Sequence, residues 1–133
     1  MTRDELNSVN SISREIRQEE NRLAMLNDWL MRITNEIDGL PHEQGYKRSS
    51  IEELTSQKID CERKIESLKS QCAESRAKVI KKIDTKIKHN DQKAVLVERY
   101  GFCEAFKKIA EKLHMSENNI FCLHRKGLKL LLM

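Results

Sequence analysis

The fold is decided first by residues 12–40, which read ISREIRQEENRLAMLNDWLMRITNEIDGL. Apolar side chains recur in this stretch in alternating steps of three and four, which is typical of a helix with a coiled-coil seam. Only Glu19 breaks the seam. Thr2 and Glu5 form a capping-box pattern, so we expect a helix that begins at the N-terminal end and stops near Asp38. The apolar seam positions are Ile12, Ile16, Leu23, Leu26, Leu30, Ile33, Ile37 and Leu40.

A second long helix is predicted after a short linker. Residues 39–48 hold two glycines and the single proline and form the predicted linker, and Ser49 with Glu52 offers a second capping box. The 3–4 spacing then resumes with Lys58 as its weak member, and from Val79 the apolar positions step by four, as if the helix changed partners. Two helices joined in this way favour an antiparallel hairpin, which we expect to form a homodimer because two helices give little core. The second seam contains Ile51, Leu54, Cys61, Ile65, Leu68 and Cys72.

The composition of the 133-residue chain agrees with a helical protein. Charged residues make up 35%, aromatic residues 5%, and there are four glycines and one proline. This balance excludes a β-sandwich or barrel, which needs β-branched and aromatic residues and frequent turns. No stretch approaches the roughly 18 apolar residues of a membrane span and no apolar signal sequence is present, so we expect an intracellular protein without membrane contact. The four cysteines, which form no CxxC pair, are then expected to be free thiols.

The charge of the chain is unevenly distributed. Residues 1–75 carry 11 basic and 15 acidic side chains, whereas residues 76–133 carry 14 basic and 6 acidic ones. The second part therefore has a net charge of +8 and the first a net charge of −4. A basic region on an otherwise balanced chain indicates a polyanionic partner, and nucleic acid is the first candidate.

After Asn90 the pattern changes from long helices to three short ones. Residues 91–99 and 102–113 are predicted to form the first two, and Ser116 is predicted to cap the last. A short helix, a tight turn and a second amphipathic helix are typical of a helix-turn-helix. The last helix carries the apolar residues Ile120, Leu123, Leu128 and Leu131.

The predicted fold class is therefore all-α: a long antiparallel helical hairpin (coiled coil) followed by a compact three-helix helix-turn-helix unit. Residues 1–88 form the predicted oligomerisation region, and residues 89–133 form the predicted DNA-binding domain.

The C-terminal block resembles a known family. Its motifs are Val97-Glu98-Arg99-Tyr100, Ile109-Ala110-Glu111-Lys112-Leu113, Met115-Ser116, Ile120, Leu123-His124 and Leu128. Together they look like the helix-turn-helix of sigma-factor region four, and specifically like small sigma-like phage and prophage regulators of Gram-positive bacteria. The resemblance covers residues 94–132. It implies that the protein binds double-stranded DNA, lies in the cytoplasm of a bacterial host cell and contacts RNA polymerase. Gly127, where the family usually has alanine, and residues 103–106 depart from the pattern.

A helix-turn-helix places the start of its last helix against base edges and its flanking cations against phosphates. Asparagine can pair with adenine, and glutamate can accept a hydrogen bond from cytosine. Phe121 could touch a thymine methyl group, or it could pack on a neighbouring helix. Asn118 and Asn119 could equally be ordinary first-turn residues. The candidate DNA-binding residues are Ser116, Glu117, Asn118, Asn119, Phe121, Cys122, Arg125, Lys126 and Lys129, with Lys107, Lys108 and Lys112 on the preceding helix.

Two further groups of residues are candidates for other roles. Lys78, Lys82 and Lys86 form a ladder that either extends the phosphate-binding surface or is a solvated helix face. Zinc ligation by Cys103, His114, Cys122 and His124 is disfavoured, because Cys122 and His124 lie two residues apart and point to different faces of a helix. Buried thiols and a packing histidine explain these residues better, so we expect no metal and no cofactor. The chain has no phosphate-binding glycine loop and no nucleophile elbow, and we expect it not to be an enzyme.

The leading hypothesis is a sequence-specific DNA-binding transcriptional regulator that docks residues 116–129 in the major groove. The alternative is a coiled-coil adaptor or inhibitor of a host or phage protein, in which the helix-turn-helix is only a scaffold. A third possibility is that residues 1–75 assemble with a different coiled-coil protein, leaving no homodimer. The breaks in the seam at Glu19 and Lys58 could mark such a partner, or these two residues could pair with each other across the hairpin or across subunits.

Overall fold

The computed structural model describes residues 1–37 and 44–133, with the side chains of residue 37 and residues 44–48 left aside. In these ranges the chain is helical and contains no strand, which confirms the predicted all-α class. A π-helical turn, Val97–Gly101, continues α4. The helices are α1 (Arg3–Leu6), α2 (Ser8–Ile37), α3 (Gln44–Lys86), α4 (Asn90–Leu96), α5 (Phe106–Leu113) and α6 (Glu117–Leu131).

The long helices differ from the prediction at their boundaries. Thr2 caps α1 by accepting a hydrogen bond from the Glu5 backbone N–H (3.2 Å), as predicted, but the helix is interrupted at Asn7 before α2 begins. Residues 44–48, predicted as linker, belong to α3, so Ser49 lies inside that helix. Lysine and arginine at positions 47 and 48 favour helix, and a capping signal does not prevent an earlier start. The predicted stop near Asp38 and the rest of the linker lie outside the described residues.

The chain divides into two compact units. The central unit consists of Arg14–Ser70, and the C-terminal unit combines Met1–Ser13 with Gln71–Met133. The end of α3 therefore belongs to the same unit as the short helices. The apolar pattern from Val79 had indicated that this helix changes its packing partners. The predicted division after residue 88, between an oligomerisation region and a DNA-binding domain, stays a prediction.

The central unit contains a narrow apolar cluster interrupted by one polar group. Leu26, Cys61 and Ile65 are buried, and Leu23 and Leu54 pack against them. The other described α2 seam residues of this unit, Ile16, Leu30 and Ile33, are only half-buried.

The polar group of this seam is built around Glu19. The Cys61 thiol donates to the Glu19 backbone carbonyl (3.2 Å) and to its carboxylate (3.3 Å), and Lys64 Nζ lies 3.0 Å from the same carboxylate. The hydrogen bond from Lys64, and next that from Cys61, holds the pKa of Glu19 below its ordinary value. Burial, and next the Glu19 carboxylate, raises the pKa of the Cys61 thiol. Glu19, which breaks the heptad, therefore forms an ion pair with a lysine of α3, and that lysine is Lys64 rather than Lys58.

The C-terminal unit has a core of fully buried aliphatic side chains. Val95, Ile109, Ala110 and Ile120 form one cluster, and α4 and α5 both pack on α6. Gly127 is buried at the contact of α4 with α6, where an added Cβ would lie 2.8 Å from Leu96 Cδ1. The close packing of Leu96 therefore explains why glycine stands here instead of the alanine that the resemblance led us to expect. Phe106, Leu113, Met115 and Leu123 cover the cluster.

Two non-glycine residues with left-handed backbone shape this unit. His114 (φ 55°) ends α5, and the Met115 N–H then bonds to the Ala110 carbonyl at 3.0 Å, which closes a Schellman motif. Cys103 (φ 56°) lies in the non-helical segment 102–105. The second short helix therefore begins at Phe106 and not at residue 102 as predicted, because the π-helical turn and Cys103 redirect the chain first.

Candidate nucleic-acid interface

Helix α6 presents one polar face to solvent. The Ser116 hydroxyl accepts a hydrogen bond from the Asn119 backbone N–H (3.2 Å) and caps the helix as predicted. Asn118, Cys122, Arg125 and Lys129 follow one another at steps of four, three and four, opposite the buried Ile120. All twelve predicted site residues are exposed: Ser116, Glu117, Asn118, Asn119, Phe121, Cys122, Arg125, Lys126, Lys129, Lys107, Lys108 and Lys112.

The turn between α5 and α6 is short. It consists of His114, Met115 and Ser116, with a left-handed residue first and a helix cap last. Met115 packs against the core cluster that also contains Ile109 and Ile120. The angle between the two helices is therefore held by the buried core as well as by the turn.

Phe121 is partly engaged within the chain. Its ring packs on Phe106 with the ring centroids 4.9 Å apart, although the side chain remains 41% exposed. This contact favours the packing interpretation of Phe121 over a free contact with a base.

The three lysines of α5 differ in their surroundings. Lys112 Nζ lies 3.2 Å from the Glu98 carboxylate and 3.5 Å from that of Glu104. The hydrogen bond to Glu98, first of all, raises the pKa of Lys112. Lys107 and Lys108 form no ion pair within the described part of the chain. They are consequently better placed than Lys112 to neutralise an external anion.

A hydrogen-bonded aromatic group connects α6 to the preceding helices. The Tyr100 hydroxyl and His124 Nε2 are 2.7 Å apart, their rings stack at 5.6 Å, and Phe106 meets the His124 ring edge-on at 5.0 Å. Burial, and next the charge of Arg99, lowers the pKa of His124, while burial raises the pKa of Tyr100. The sequence indicated a packing histidine. It did not identify Tyr100 as its partner, although the arginine-tyrosine and leucine-histidine pairs carried the resemblance.

The lysine ladder on α3 is tied to the protein at two of its three positions. Lys82 Nζ forms an ion pair with Glu5 at 2.6 Å. Lys86 Nζ donates to the backbone carbonyls of Leu131 and Met133, each at 3.4 Å. Lys78 is exposed. Lys82 and Lys86 therefore have partners within the protein, whereas Lys78 has none among the described contacts.

The four cysteines were expected to be free, and Cys103 and Cys122 were expected to be buried. All four cysteines are free, but only Cys61 and Cys72 are buried, whereas Cys103 is half-buried and Cys122 is exposed. The predicted burial of Cys122 is wrong, since its helical position places it on the solvent face of α6. Among residues 1–36 and 49–133, no group of three histidine, cysteine or acidic side chains could hold a metal ion.

Comparisons of the chain with protein-family models, curated proteins and solved structures gave no match. Within the described ranges, no helix has both the length and the apolar character that crossing a bilayer requires.

Proposed function

We propose that this protein is a sequence-specific DNA-binding transcriptional regulator in which α5, the turn and α6 form a helix-turn-helix. The observation that carries the proposal is the joint exposure of all twelve candidate residues on a rigidly packed pair of helices. Residues 106–131 contain six basic and two acidic side chains, so this part of the chain attracts a polyanion.

The proposed docking divides the exposed residues by their chemistry. Asn118 and Asn119, in the first turn of α6, would contact base edges, because a carboxamide can pair with adenine through two hydrogen bonds. Arg125, Lys126 and Lys129 would contact phosphates and fix the position of α6 on the duplex. Glu117, beside the Ser116 cap, would accept a hydrogen bond from a cytosine amino group.

A homodimer completes the proposal. A long helical hairpin that pairs two copies would set the spacing of two α6 helices, and the DNA site would then contain two half-sites about one helical turn apart. Contact with RNA polymerase and a phage or prophage origin rest on the resemblance to sigma-factor region four alone.

A second function, the coiled-coil adaptor, is favoured by one observation. The central unit leaves large apolar side chains exposed: Met25 (59%), Trp29 (49%), Met31 (65%) and Ile59 (42%). Exposed apolar side chains of this size are frequent at protein-binding surfaces. In this alternative the hairpin binds a host or phage protein and α6 makes no contact with DNA.

The test compares two triple variants of identical composition for binding to a fluorescent random DNA duplex across salt concentrations. One replaces Asn118, Asn119 and Arg125 by alanine, and the other replaces Asn21, Asn27 and Arg17, which are exposed on α2. Wild type should bind at low salt and weaken steeply as salt rises, because phosphate contacts release counterions. On the random duplex the α6 variant should bind more weakly than wild type, because it lacks the phosphate contact of Arg125. On a duplex selected for wild-type binding it should lose about tenfold or more in affinity, whereas the α2 variant should bind both duplexes like wild type.

Equal affinity of the α6 variant and wild type would contradict the assignment of α6. Absence of binding by wild type at low salt would reject the regulator and favour the adaptor. Selection of a duplex from a random pool then gives the site, and its half-site spacing tests the dimer.

A further inference from the structure

The C-terminal unit contains a polar cavity of about 310 Å³ next to α6. This volume lies at the small end of the roughly 300–1,000 Å³ that ligand sites occupy. The described residues that line it include two arginines and two asparagines but no carboxylate. The side chains used below are Arg3, Asn7, Asn10, Arg99, Tyr100 and His124.

We propose that this cavity binds a phosphate group, supplied either by a small phosphomonoester or by a nucleic-acid backbone. The proposal concerns binding of the group itself and stands whether or not α6 reads DNA sequence. With the backbone as the source, it rests on the proposed function and deepens it.

Arg99 is oriented before any ligand arrives. Its guanidinium lies 4.3 Å from the centroid of the Phe106 ring and donates one hydrogen bond to the Glu104 backbone carbonyl (3.0 Å). These contacts fix the plane of the guanidinium, and within the described part of the chain only one of its five N–H donors is used in a hydrogen bond. A planar cation held in this way is suited to phosphate, because it can donate two parallel hydrogen bonds at little further cost in entropy.

The cationic charge of the cavity is not balanced by acidic groups. Neither Arg3 nor Arg99 has a carboxylate within ion-pair distance in the described part of the chain. The nearby Glu98 and Glu104 carboxylates are both engaged by Lys112. A bound anion would therefore meet two guanidinium groups without competition from an internal partner.

The neutral lining supplies further donors. Arg3, Asn7 and Asn10 follow one another at steps of four and three, which places them on one side of the N-terminal segment. Each carboxamide offers two N–H donors, and His124 offers one when Nδ1 carries the proton, because its Nε2 is already hydrogen-bonded to the Tyr100 hydroxyl. A tetrahedral dianion accepts hydrogen bonds from several directions, and this lining provides donors from three parts of the chain.

The aromatic rings of the cavity already have partners. Tyr100 stacks on His124, and Phe106 carries Arg99 on its ring. The site is thus better suited to a phosphate group than to a stacked nucleobase.

His124 provides a direct readout of occupancy. Burial and the charge of Arg99 lower its pKa, and a phosphate bound beside the ring would raise it by favouring the imidazolium. The experiment follows the histidine signals of the full chain by NMR during titration with inorganic phosphate, with ionic strength held constant by sodium chloride. The variants are Arg3→Gln, which alters an exposed side chain, and Arg99→Gln; the control is Arg125→Gln, an exposed arginine of α6 outside the cavity lining.

Wild type should show saturable binding with a rise in the pKa of His124, and Arg3→Gln and Arg99→Gln should each weaken phosphate binding about tenfold or more. Arg125→Gln should bind phosphate like wild type even where it loses affinity for DNA, so a failure of the DNA-binding proposal is distinguishable from a failure of this one. If phosphate binds weakly but a short duplex shifts His124 and Arg3→Gln weakens the duplex, the backbone is the source of the phosphate.

Two results would overturn the proposal. The first is an equal response of His124 to phosphate and chloride together with unchanged duplex binding by Arg3→Gln. The second is an equal loss of phosphate affinity in Arg125→Gln and Arg3→Gln, since the binding would then reflect general surface charge.

Discussion

The central unit and the C-terminal unit are both helical, but they bury their apolar residues to different degrees. The ten largest fully buried side chains of the described chain all belong to the C-terminal unit: Leu6, Val9, Val79, Ile83, Ile87, Val95, Leu96, Ile109, Ile120 and Leu131. The best-buried apolar side chains of the central unit remain 3–7% exposed, namely Leu26, Cys61, Ile65 and Leu68.

The difference follows from the number of helices that meet. Two helices share a single seam, so each keeps most of its circumference in water and its seam residues are covered from one side. Several helices that converge can enclose a side chain completely. The comparison teaches that the same apolar residue stabilises the two units to different extents, and that the central unit leaves more of its apolar surface in water.

The largest expected effect on the free energy of unfolding comes from truncating a leucine, and one leucine from each unit is compared. Leu96→Ala removes a fully buried side chain and should lower the free energy of unfolding by about 3–5 kcal/mol. Leu30→Ala removes a half-buried one and should cost about 1–2 kcal/mol, because part of its surface is already in water. Hydrogen exchange resolved by segment measures each effect within its own unit. Equal losses would show that the central seam is buried in solution by something outside the described chain.

Local signals predicted much of the fold. The helix caps at Thr2 and Ser116 are formed as the sequence indicated, since a cap depends on residues within one turn. Heptad spacing and the three short apolar patterns also predicted an all-helical chain, because periodicity reports the face that each helix buries. The exposure of the candidate site residues follows from the same periodicity.

The remainder depends on contacts between distant parts of the chain. The π-helical turn and the left-handed Cys103 are not marked by any local motif. Phe121 and Lys112 were candidates for DNA contact, and their partners Phe106 and Glu98 became evident only from the packing. Spacing within one helix cannot reveal which side chain of another helix occupies the same space.

The next largest effect on the free energy of unfolding is expected for a substitution at Gly127, in the C-terminal unit. Alanine in a helix is favoured over glycine by about 1 kcal/mol, so on propensity alone Gly127→Ala should stabilise α6. The new Cβ would instead lie 2.8 Å from Leu96 Cδ1 and 3.3 Å from Leu96 Cγ, and Leu96 is fully buried. Overpacking costs about 1–3 kcal/mol, and we expect a net loss of about 1–2 kcal/mol in thermal or urea unfolding.

A double variant separates the two contributions at Gly127. Leu96→Val shortens the side chain that the new methyl group meets, so Gly127→Ala should cost less in that background than in wild type. A stabilised single variant would mean that Leu96 moves aside and that the close packing of α4 on α6 is not required.

The smallest expected effect concerns the polar group in the seam of the central unit. Glu19→Gln removes the ion pair with Lys64 and should cost about 0.5–1 kcal/mol near pH 7, because the lysine is largely exposed. The pKa of Glu19 is lowered in the folded protein, first by the hydrogen bond from Lys64 and then by that from Cys61. A lowered carboxyl pKa contributes stability above the unfolded value of about 4.3, and this contribution is lost as the pH falls through the folded pKa. The free energies of unfolding of wild type and variant should therefore differ at pH 7 and converge as the pH falls through the folded pKa of Glu19.

Glu20→Gln is the matched control, since Glu20 is exposed beside Glu19 on the same helix and should give a smaller difference at every pH. Parallel curves for Glu19→Gln and wild type down to pH 3 would show that the ion pair adds nothing to the seam. The hydrogen bonds of the Cys61 thiol to Glu19 would then be the only support that this break in the heptad receives from α3. Such a result would mean that the ion pair does not fix the register in which α2 packs against α3. A contact with a second copy of the chain would then be the better explanation of that register.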